Sequence, residues 1–260
     1  MENKFTIENV FPVSNSRLGS FKKSPLHLYH HLFEYKEETY AQKIGKAFHS
    51  CILEPEEFEN NYVKAPQLDK RTKEGKAQYS EFAIQNINKT IINEDDYNKL
   101  LAMKNSLYSS SVGIDILNDI KATEQEKLWI NDETNIKMRG FIDAIGSNFL
   151  LELKTTQDAD PMKFQRDAIN YAYNRQAAVY LDSENSFKNF DFYFIAIEKE
   201  APYAVSIHKC SKELINHGRE QYINLLNEYK TWVDRGMPIV GYEYWNFNGI
   251  NNWDLPKYYK

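Results

Sequence analysis

Three charged side chains, Asp143, Glu152 and Lys154, stand among apolar residues in two short segments on either side of a turn. Glu152 and Lys154 are two residues apart, so on a β-strand their side chains lie on the same face. A hairpin about the turn brings Asp143 nearly opposite Leu151 and Glu152. Charged residues are rare in apolar strands unless they pair or bind a metal ion. Two carboxylates beside an ammonium group favour Mg²⁺ binding and chemistry on a phosphodiester.

Each of these groups has a definite task if the hairpin acts on a phosphodiester. Asp143 and Glu152, with the backbone carbonyl of Leu153, are candidate ligands for one or two Mg²⁺ ions. Lys154 is the candidate to orient the attacking water or to stabilise the charge that develops on the phosphate. The alternative is an exposed Glu–Lys pair on an amphipathic hairpin with Asp143 at its edge. The apolar flanking residues leave both interpretations open.

Two residues from other segments are further candidate metal ligands. His49 lies on a predicted helix, and its imidazole can bind a metal ion or contact a phosphate. A lone histidine is more often a surface or core residue, so this role stays open. Glu124 precedes the strand predicted to start at Lys127 and can add a third carboxylate. An exposed position in a charged patch is the favoured alternative for Glu124.

A later helix offers polar groups to the same site. Gln176 and Tyr180 are four residues apart and therefore share one helix face, from which their polar ends can reach a metal-side water or a phosphate. Tyrosine hydroxyls at the solvent boundary are the alternative. Lys163, Arg166 and Arg175 in the same region are candidates for phosphate contacts, although such charges usually form a solvated face.

The elements that must position these residues follow from hydrophobic periodicity and from turn-forming residues. Helices are predicted over residues 14–21, 26–33, 40–53, 76–87, 94–120, 161–181 and 212–233. Strands are predicted to begin at residue 127 and to cover residues 138–143, 149–156, 190–197 and 203–208. A basic exposed loop is predicted over residues 64–76, and an irregular tail from residue 241. We therefore expect one α/β domain over residues 1–260, with an N-terminal helical portion (about 14–120) and a catalytic sheet–helix core (about 121–235).

The composition narrows the class of protein. The 260 residues contain no apolar run of about 18 residues and no N-terminal signal peptide, so we expect a cytoplasmic protein without a membrane span. Cys51 and Cys210 are far apart, which argues for a reducing compartment and against a zinc or iron–sulfur site. The net charge of −5 argues weakly against a protein that coats DNA non-specifically, but it permits a local basic groove.

With these residues assembled, the chain resembles the PD-(D/E)xK nuclease superfamily, and more narrowly its exonuclease VIII (RecE-type) and RecB-like branch. The resemblance rests on an ordered series of motifs over about residues 14–226. These are Ser14-x-Ser16-x-Leu18, the histidine segment 45–49, Glu124, segments 139–143 and 152–156, Tyr173-x-x-Gln176-Ala177-Ala178-x-Tyr180, and segment 198–205. The series is specific, whereas an Asp…Glu-x-Lys pattern alone is common.

The resemblance implies a restriction-endonuclease-like mixed β-sheet flanked by helices, with Mg²⁺ as cofactor and Mn²⁺ as a substitute. It implies 5′-to-3′ digestion of linear double-stranded DNA ends, in a bacterial or phage-infected cell, to give single strands for recombination. A homo-oligomeric ring and a RecT-like single-strand annealing protein are the implied partners. On the same basis Ser14 and Ser16 join Lys163, Arg166 and Arg175 as expected DNA contacts.

Two positions depart from the usual pattern of these nucleases. Ile142 stands where the name of the superfamily has proline, and Glu152 stands where some relatives have aspartate. Both carboxylates chelate Mg²⁺, so neither departure predicts an inactive protein. A Cas4-like or AddB-like protein needs four cysteines for its cluster, which this chain lacks. The remaining alternatives are a structure-specific endonuclease of the same superfamily and a non-catalytic scaffold that binds DNA ends.

Overall fold

The computed structural model describes residues 3–34 and 37–245. Within these ranges the centre of the protein is a five-stranded mixed sheet, with a separate two-stranded parallel sheet beside it. The central sheet has the order β3-β4-β5-β6-β7, formed by β3 (Ile120–Ile130), β4 (Lys137–Gly146), β5 (Phe149–Thr156), β6 (Asp191–Glu198) and β7 (Val205–Lys209). The small sheet consists of β1 (Tyr62–Lys64) and β2 (Thr90–Ile92).

The helices precede, interrupt and follow the central sheet. The helices before it are α1 (Ile7–Val10), α2 (Asn15–Lys23), α3 (Pro25–Phe33), α4 (Tyr40–Leu53), α5 (Pro55–Asn61), α6 (Lys73–Gln85), α7 (Glu94–Ser109) and α8 (Ser111–Asn118). The later ones are α9 (Pro161–Asn170), α10 (Tyr173–Leu181) and α11 (Lys212–Asp234). None of the helices in the described ranges is long and apolar enough to cross a membrane.

The connection from β5 to β6 determines which helices cover the site. β5 and β6 are parallel, whereas the other neighbouring strands of the central sheet are antiparallel. A parallel pair needs a crossover connection, and α9 and α10 supply it. The crossover places α10 on the face of β5 that carries the polar residues of the candidate site.

Two hydrophobic cores lie on opposite faces of the sheet. One contains residues of α2, α3, α10 and α11, and the other contains residues of α4, α5 and α7. The period-two alternation of β5 divides its side chains between them, because Leu150 belongs to the first core while Leu151 and Leu153 belong to the second. Glu152 and Lys154 therefore lie on the side of Leu150, facing α10.

The helices next to the site begin at residues that cap their free N–H groups. Ser14 is the N-cap of α2, as its position in the sequence predicts, and its hydroxyl accepts from the N–H of Arg17. Thr39 and Gln42 form a reciprocal capping box at the start of α4. Asp160 caps α9, which has Pro161 at its first position. These caps fix where α4 and α9 start relative to the strands.

Several sequence-based boundaries are wrong. β3 begins at Ile120 rather than at residue 127, so Glu124 lies inside the strand and not before it. The predicted helix 161–181 is two helices, separated at Tyr171 and Ala172. The predicted helix 94–120 is likewise divided at Ser110, whose side chain caps α8.

The basic segment 64–76 is also more structured than predicted. It starts in β1 and its last residues form the first turn of α6. The predicted irregular tail lies mostly outside the described residues, which end at residue 245 after a 3₁₀ turn over Tyr242–Trp245.

Candidate active site

The candidate site lies where β4 and β5 separate from each other. Within the described chain the two strands pair at Ala144 with Leu151 and Ile145 with Leu150, next to their turn. Beyond these pairs, the backbone N–H of Leu153 donates to Oδ2 of Asp143 at 2.8 Å. The first half of β4 instead bridges to Val13, which precedes α2. The separation of the strands opens the sheet to side chains from helices on both faces.

From one face, α4 brings His49 towards β3 and β4. His49 Nδ1 lies 3.4 Å from Asp143 Oδ2 and 4.0 Å from Glu124 Oε1. Potential ligand atoms of the three side chains all lie within 4.8 Å of one another. Glu124 reaches this group from a left-handed backbone conformation, with φ 47°, in the middle of β3. Such a conformation costs a non-glycine residue free energy and is concentrated at functional sites.

From the other face, α10 holds Glu152. Its Oε1 accepts from Lys154 Nζ at 2.6 Å and from Gln176 Nε2 at 2.7 Å. Gln176 Nε2 also lies 3.2 Å from the hydroxyl oxygen of Tyr180. The second oxygen of Glu152, Oε2, is buried and has no hydrogen-bond partner among the described residues. A buried carboxylate oxygen that accepts no hydrogen bond destabilises the folded protein. Oε2 is therefore available to bind a metal ion.

Burial and mutual repulsion shift the titration of the carboxylates. Burial, and next the negative charge of Asp143, raises the pKa of Glu152 above its usual range. The same two causes raise the pKa of Glu124 to about 7. A cation bound between these groups would remove the repulsion, since a nearby positive charge favours the ionised form of a carboxylate.

Neighbouring carboxylates favour the charged forms of the basic groups of the site. Burial alone would lower the pKa of Lys154, but the charges of Glu152 and Asp143 outweigh burial and raise it. Burial likewise opposes the charge of His49, while the hydrogen bond and the charge of Asp143 raise the pKa of this imidazole above its ordinary value. Without a metal ion, the site therefore compensates its carboxylates with Lys154 and His49.

A glycine in β4 makes room for the ring of Tyr180. A Cβ atom at Gly140 would lie 3.0 Å from Cε1 and 3.2 Å from Cδ1 of Tyr180. Burial raises the pKa of Tyr180 far above its ordinary value, so its hydroxyl stays protonated. Close packing of the ring on β4 holds α10 at the opening between the strands, and it places Gln176 beside Glu152.

The donor set fits a divalent metal ion. Asp143, His49 and Glu124 offer ligand atoms within 4.8 Å of one another. Glu152 lies outside this group of three, and its free Oε2 is a further candidate ligand. Carboxylate oxygens are the preferred ligands of both Mg²⁺ and Mn²⁺. Leu153, the remaining predicted ligand, lies between Glu152 and Lys154 on β5, where its N–H is bonded to Asp143.

The predicted DNA contacts fall into two groups. Ser14 and Ser16 lie at the N-terminus of α2, with their hydroxyl oxygens 2.9 Å apart, and they line a pocket of about 460 Å³ beside Gln176 and Tyr180. Arg175 lines the same pocket but is buried, and its Nε donates to Asn15 Oδ1 at 2.7 Å. Burial lowers the pKa of Arg175 to about 10. Arg175 is therefore not part of a solvated face.

Lys163 and Arg166 lie on the exposed side of α9 instead. Both line a second pocket, of about 710 Å³, whose wall includes Lys154. Lys163 forms an ion pair with Asp158, close to the start of the helix. The structure thus places the predicted phosphate contacts in two pockets, which share Tyr171 and Tyr173, rather than in one patch.

Lys199 was not predicted from the sequence, although it lines the pocket that contains Lys154. It follows β6, and the carboxyl ends of the parallel strands β5 and β6 lie at the same edge of the sheet. A helical segment between two predicted strands indicates a parallel pair, and this pattern in the sequence could have located Lys199 near Lys154. Tyr173, which the sequence places in the Gln/Tyr helix motif, also lies here, with its ring centroid 4.9 Å from Lys154 Nζ.

A family described as a PDDEXK-like domain of unknown function (DUF3799) matches residues 14–237 of this chain. The matched range contains every element that contributes to the candidate site. No protein of curated function matches the chain in sequence. The match confirms the predicted resemblance to the PD-(D/E)xK superfamily, together with the predicted α/β fold.

One solved structure agrees with this assignment of the fold. The chain is similar to a protein from Eubacterium rectale named "Putative exonuclease", with a TM-score of 0.60 and 11% sequence identity over 91% of this chain and 89% of the other. At this identity the likeness concerns the fold alone. A second structure, SSO0001, matches 74% of this chain and 89% of its own at 19% identity, but its TM-score of 0.30 supports no argument.

Proposed function

Because the chain belongs to the family of PDDEXK-like domains that matches residues 14–237, we propose that it is a Mg²⁺-dependent deoxyribonuclease. Its substrate in this proposal is linear double-stranded DNA, digested from the ends. The observation that carries the proposal is the arrangement of Glu152. This buried carboxylate binds Lys154 and Gln176 through one oxygen and leaves the other oxygen free, and its charge interacts with those of Asp143, His49 and Glu124.

The residues divide the work of phosphodiester hydrolysis between them. Asp143, Glu152, His49 and Glu124 would hold the metal ion. When bound, the ion neutralises charge on the scissile phosphate and lowers the pKa of a bound water. Lys154 keeps its proton and supplies a fixed positive charge within 2.6 Å of Glu152, where it can orient a water or stabilise the developing phosphate charge.

Gln176 and Tyr180 position these groups. The amide of Gln176 and the ammonium of Lys154 both donate to Oε1 of Glu152, so the carboxylate cannot rotate freely. Tyr180 lies against Gly140 and holds α10 in the opening between the strands. Orientation of this kind contributes to catalysis because the reacting groups need no reorganisation during the reaction.

The finer points of the proposal come from the resemblance to the RecE-type branch. They are 5′-to-3′ polarity, the production of single strands for recombination, a homo-oligomeric ring, and cooperation with a single-strand annealing protein. Ser14 and Ser16, beside the pocket that also contains Arg175, are the proposed contacts to DNA on one side of the site. Lys163 and Arg166 are the proposed contacts on the other side.

Digestion of end-labelled DNA tests the proposal directly. The purified chain is incubated with a linear duplex labelled at its 5′ or 3′ end and with a covalently closed circle of the same sequence, in Mg²⁺ or in EDTA. We expect progressive loss of the linear duplex in Mg²⁺, release of the 5′ label first, and no reaction in EDTA. Lys154→Ala should reduce the rate by about 100-fold or more, as for other electrostatic groups at a reaction centre.

The alternatives give different results in the same experiment. Equal cutting of the circle would contradict the exonuclease assignment and indicate an endonuclease of the same superfamily. Binding of duplex ends without metal-dependent cutting of either substrate would indicate a non-catalytic scaffold. Early release of the 3′ label would overturn the proposed polarity while leaving the nuclease assignment in place.

A further inference from the structure

We infer that the junction between α9 and α10 is a base-stacking platform for single-stranded DNA, with Tyr171 at its centre. The inference rests on the proposed function and adds to it the form of the substrate that the site holds. Tyr171 is 66% exposed, although it directly follows α9 and only Ala172 separates it from α10. A tyrosine ring presents a large flat surface, and every nucleobase can stack on such a surface.

The backbone holds this ring in place. Ala172 has a left-handed conformation, with φ 56° and ψ 43°, which ends α9 and starts α10 in a new direction. The sharp turn places Tyr171 and Tyr173 next to each other, with ring centroids 5.8 Å apart and planes inclined by 31°. Tyr173 is itself stacked on Phe194 of β6 at 5.3 Å. The exposed ring therefore stands beside an anchored one.

Two pockets of positive charge meet at these two tyrosines, since both rings line both pockets. The smaller pocket is lined by three arginines, Arg17, Arg139 and Arg175, and by no carboxylate, although Arg139 is paired with Glu126 at 2.7 Å. The larger pocket is lined by four cationic residues, Lys154, Lys163, Arg166 and Lys199, and by two carboxylates, Asp158 and Asp167. An anionic backbone that crosses the junction would thus meet positive charge before and after the exposed ring.

This combination fits a single strand better than a duplex. In a duplex the faces of the bases are covered by their neighbours, whereas an unpaired strand can place a base on an aromatic side chain. Basic groups that alternate with aromatic rings are the usual surface for single-stranded nucleic acid. Lys154, a residue of the candidate active site, lies beside Tyr173, so a base on Tyr171 would belong to a nucleotide close to the cleaved one.

The test measures DNA binding in EDTA, where no cleavage takes place. A fluorescein-labelled 12-nucleotide single strand of mixed sequence is titrated with the wild-type chain, with Tyr171→Ala and with Tyr171→Phe. One stacked base contributes about 5- to 150-fold in affinity, so we expect Tyr171→Ala to weaken binding by about tenfold or more. Tyr171→Phe should retain the wild-type affinity, because the ring remains. Tyr242→Ala, at a tyrosine of similar exposure (60%) that lines neither pocket, is the matched control and should change nothing.

A second strand of the same length, with abasic sites in place of its bases, separates stacking from charge. The wild-type chain should bind this strand more weakly than the normal one, whereas Tyr171→Ala should bind the two equally. The inference is overturned if Tyr171→Ala binds the normal strand as well as the wild type does. It is also overturned if the substitution changes the sedimentation of the protein rather than DNA binding, because Tyr171 would then contact a second copy. A wild-type chain without nuclease activity would contradict the proposed function, yet it would leave this binding result unaffected.

Discussion

Asp143 and Glu152 are held close together in a largely buried place, and this arrangement opposes folding in the absence of a cation. Asp143 is 7% exposed and Glu152 is 5% exposed. Their repulsion is one of the causes that raise the pKa of Glu152. Lys154 and His49 compensate only part of the charge, because the pKa of Glu152 is raised in spite of both. Sites built to bind a ligand commonly reduce stability in this way.

The substitution Asp143→Asn tests this conflict between stability and binding. The asparagine oxygen can still accept from the N–H of Leu153, while the charge that repels Glu152 is gone. We expect the metal-free variant to be more stable than the wild type by about 1 kcal/mol, the usual gain from relieving such a site. Thermal unfolding of both proteins is measured without metal and with about 10 to 100 equivalents of Mn²⁺. The two measurements give the stability of the metal-free protein and its gain on binding Mn²⁺. Stabilisation of the variant by Mn²⁺ equal to that of the wild type would contradict the role of Asp143 as a ligand.

Metal affinity should depend on pH through Glu124. Its pKa in the folded, metal-free protein is about 7, whereas its ordinary value is 4.5. The folded state thus binds this proton more tightly than the unfolded state does. Protonated Glu124 therefore stabilises the metal-free protein fully below pH 4.5, and this contribution is lost as the pH rises through about 7. A metal ion must displace the same proton, and the proton of His49, whose pKa is also raised.

Calorimetric titration with Mg²⁺ at pH 6 and pH 8 measures this competition. We expect an affinity about tenfold lower at pH 6, because a ligand with a pKa one unit above the pH is mostly protonated. Glu124→Gln should bind the ion more weakly at pH 8 and should show a smaller change between the two pH values. An unchanged pH dependence in Glu124→Gln would assign the proton to another group.

At the level of elements, the position of α10 decides whether Gln176 reaches Glu152. α10 packs so tightly on α11 that a Cβ atom at Gly218 would lie 2.1 Å from the backbone carbonyl oxygen of Asn174. The backbone cannot yield as a flexible side chain would. The close contact therefore fixes the distance between the two helices, and with it the placement of Gln176 opposite β5.

Gly218→Ala should consequently reduce both stability and activity. Forcing an extra methyl group into a packed contact costs about 1–3 kcal/mol, and relief of the clash requires α10 to move away from α11. The matched control is Gly45→Ala in α4, where a Cβ atom would meet nothing within 4 Å. That change should stabilise the helix by about 1 kcal/mol, the usual difference between alanine and glycine in a helix. Urea unfolding of both variants measures the difference; equal stabilities would show that the α10–α11 contact can relax.

The helices and strands differ in how well the sequence alone predicts them. Periodicity and caps predict α4 and the start of α2 correctly, since both signals are local. The face shared by Glu152 and Lys154 is also a local property of a strand, and the structure confirms it. The break at Ala172 was not predicted, because alanine favours helix and the left-handed turn is imposed by packing of α9 and α10 on the sheet.

Glu124 illustrates a different limit of prediction. Its charged neighbours predict an exposed position before a strand. Glu124 is exposed, but it lies inside β3, opposite Asp143 in a distorted part of the strand. The pairing partners on either side, Thr123 with Ala144 and Gln125 with Ile142, show this register. The contact between Glu124 and His49 depends on how α4 packs against the sheet. The spacing of residues along the sequence does not predict this packing.

For the whole molecule, the two sides of the candidate site differ in charge. The cleft on the α4 side has a volume of about 930 Å³ and is lined by five carboxylates: Glu37, Glu38, Glu54, Glu57 and Glu124. The pockets on the α10 side carry the arginines and lysines. A protein with a net charge of −5 therefore still presents positive pockets to DNA on the α10 side of the described chain. The acidic cleft repels phosphate and attracts cations.

The salt dependence of duplex binding tests this assignment of sides. In EDTA, each lost phosphate contact lowers the slope of log affinity against log salt concentration by about 1. We expect such a decrease for Arg166→Ala and for Lys199→Ala, which both remove charge from the pocket around Lys154. Lys230→Ala, on the exposed side of α11 and outside both pockets, should leave the slope unchanged.

Glu57→Gln, in the acidic cleft, should also leave the slope unchanged, because DNA that does not enter the cleft makes no contact there. If Glu57→Gln instead steepened the slope while the two pocket variants had no effect, the duplex would approach from the α4 side, and the metal site would receive its substrate through the acidic cleft.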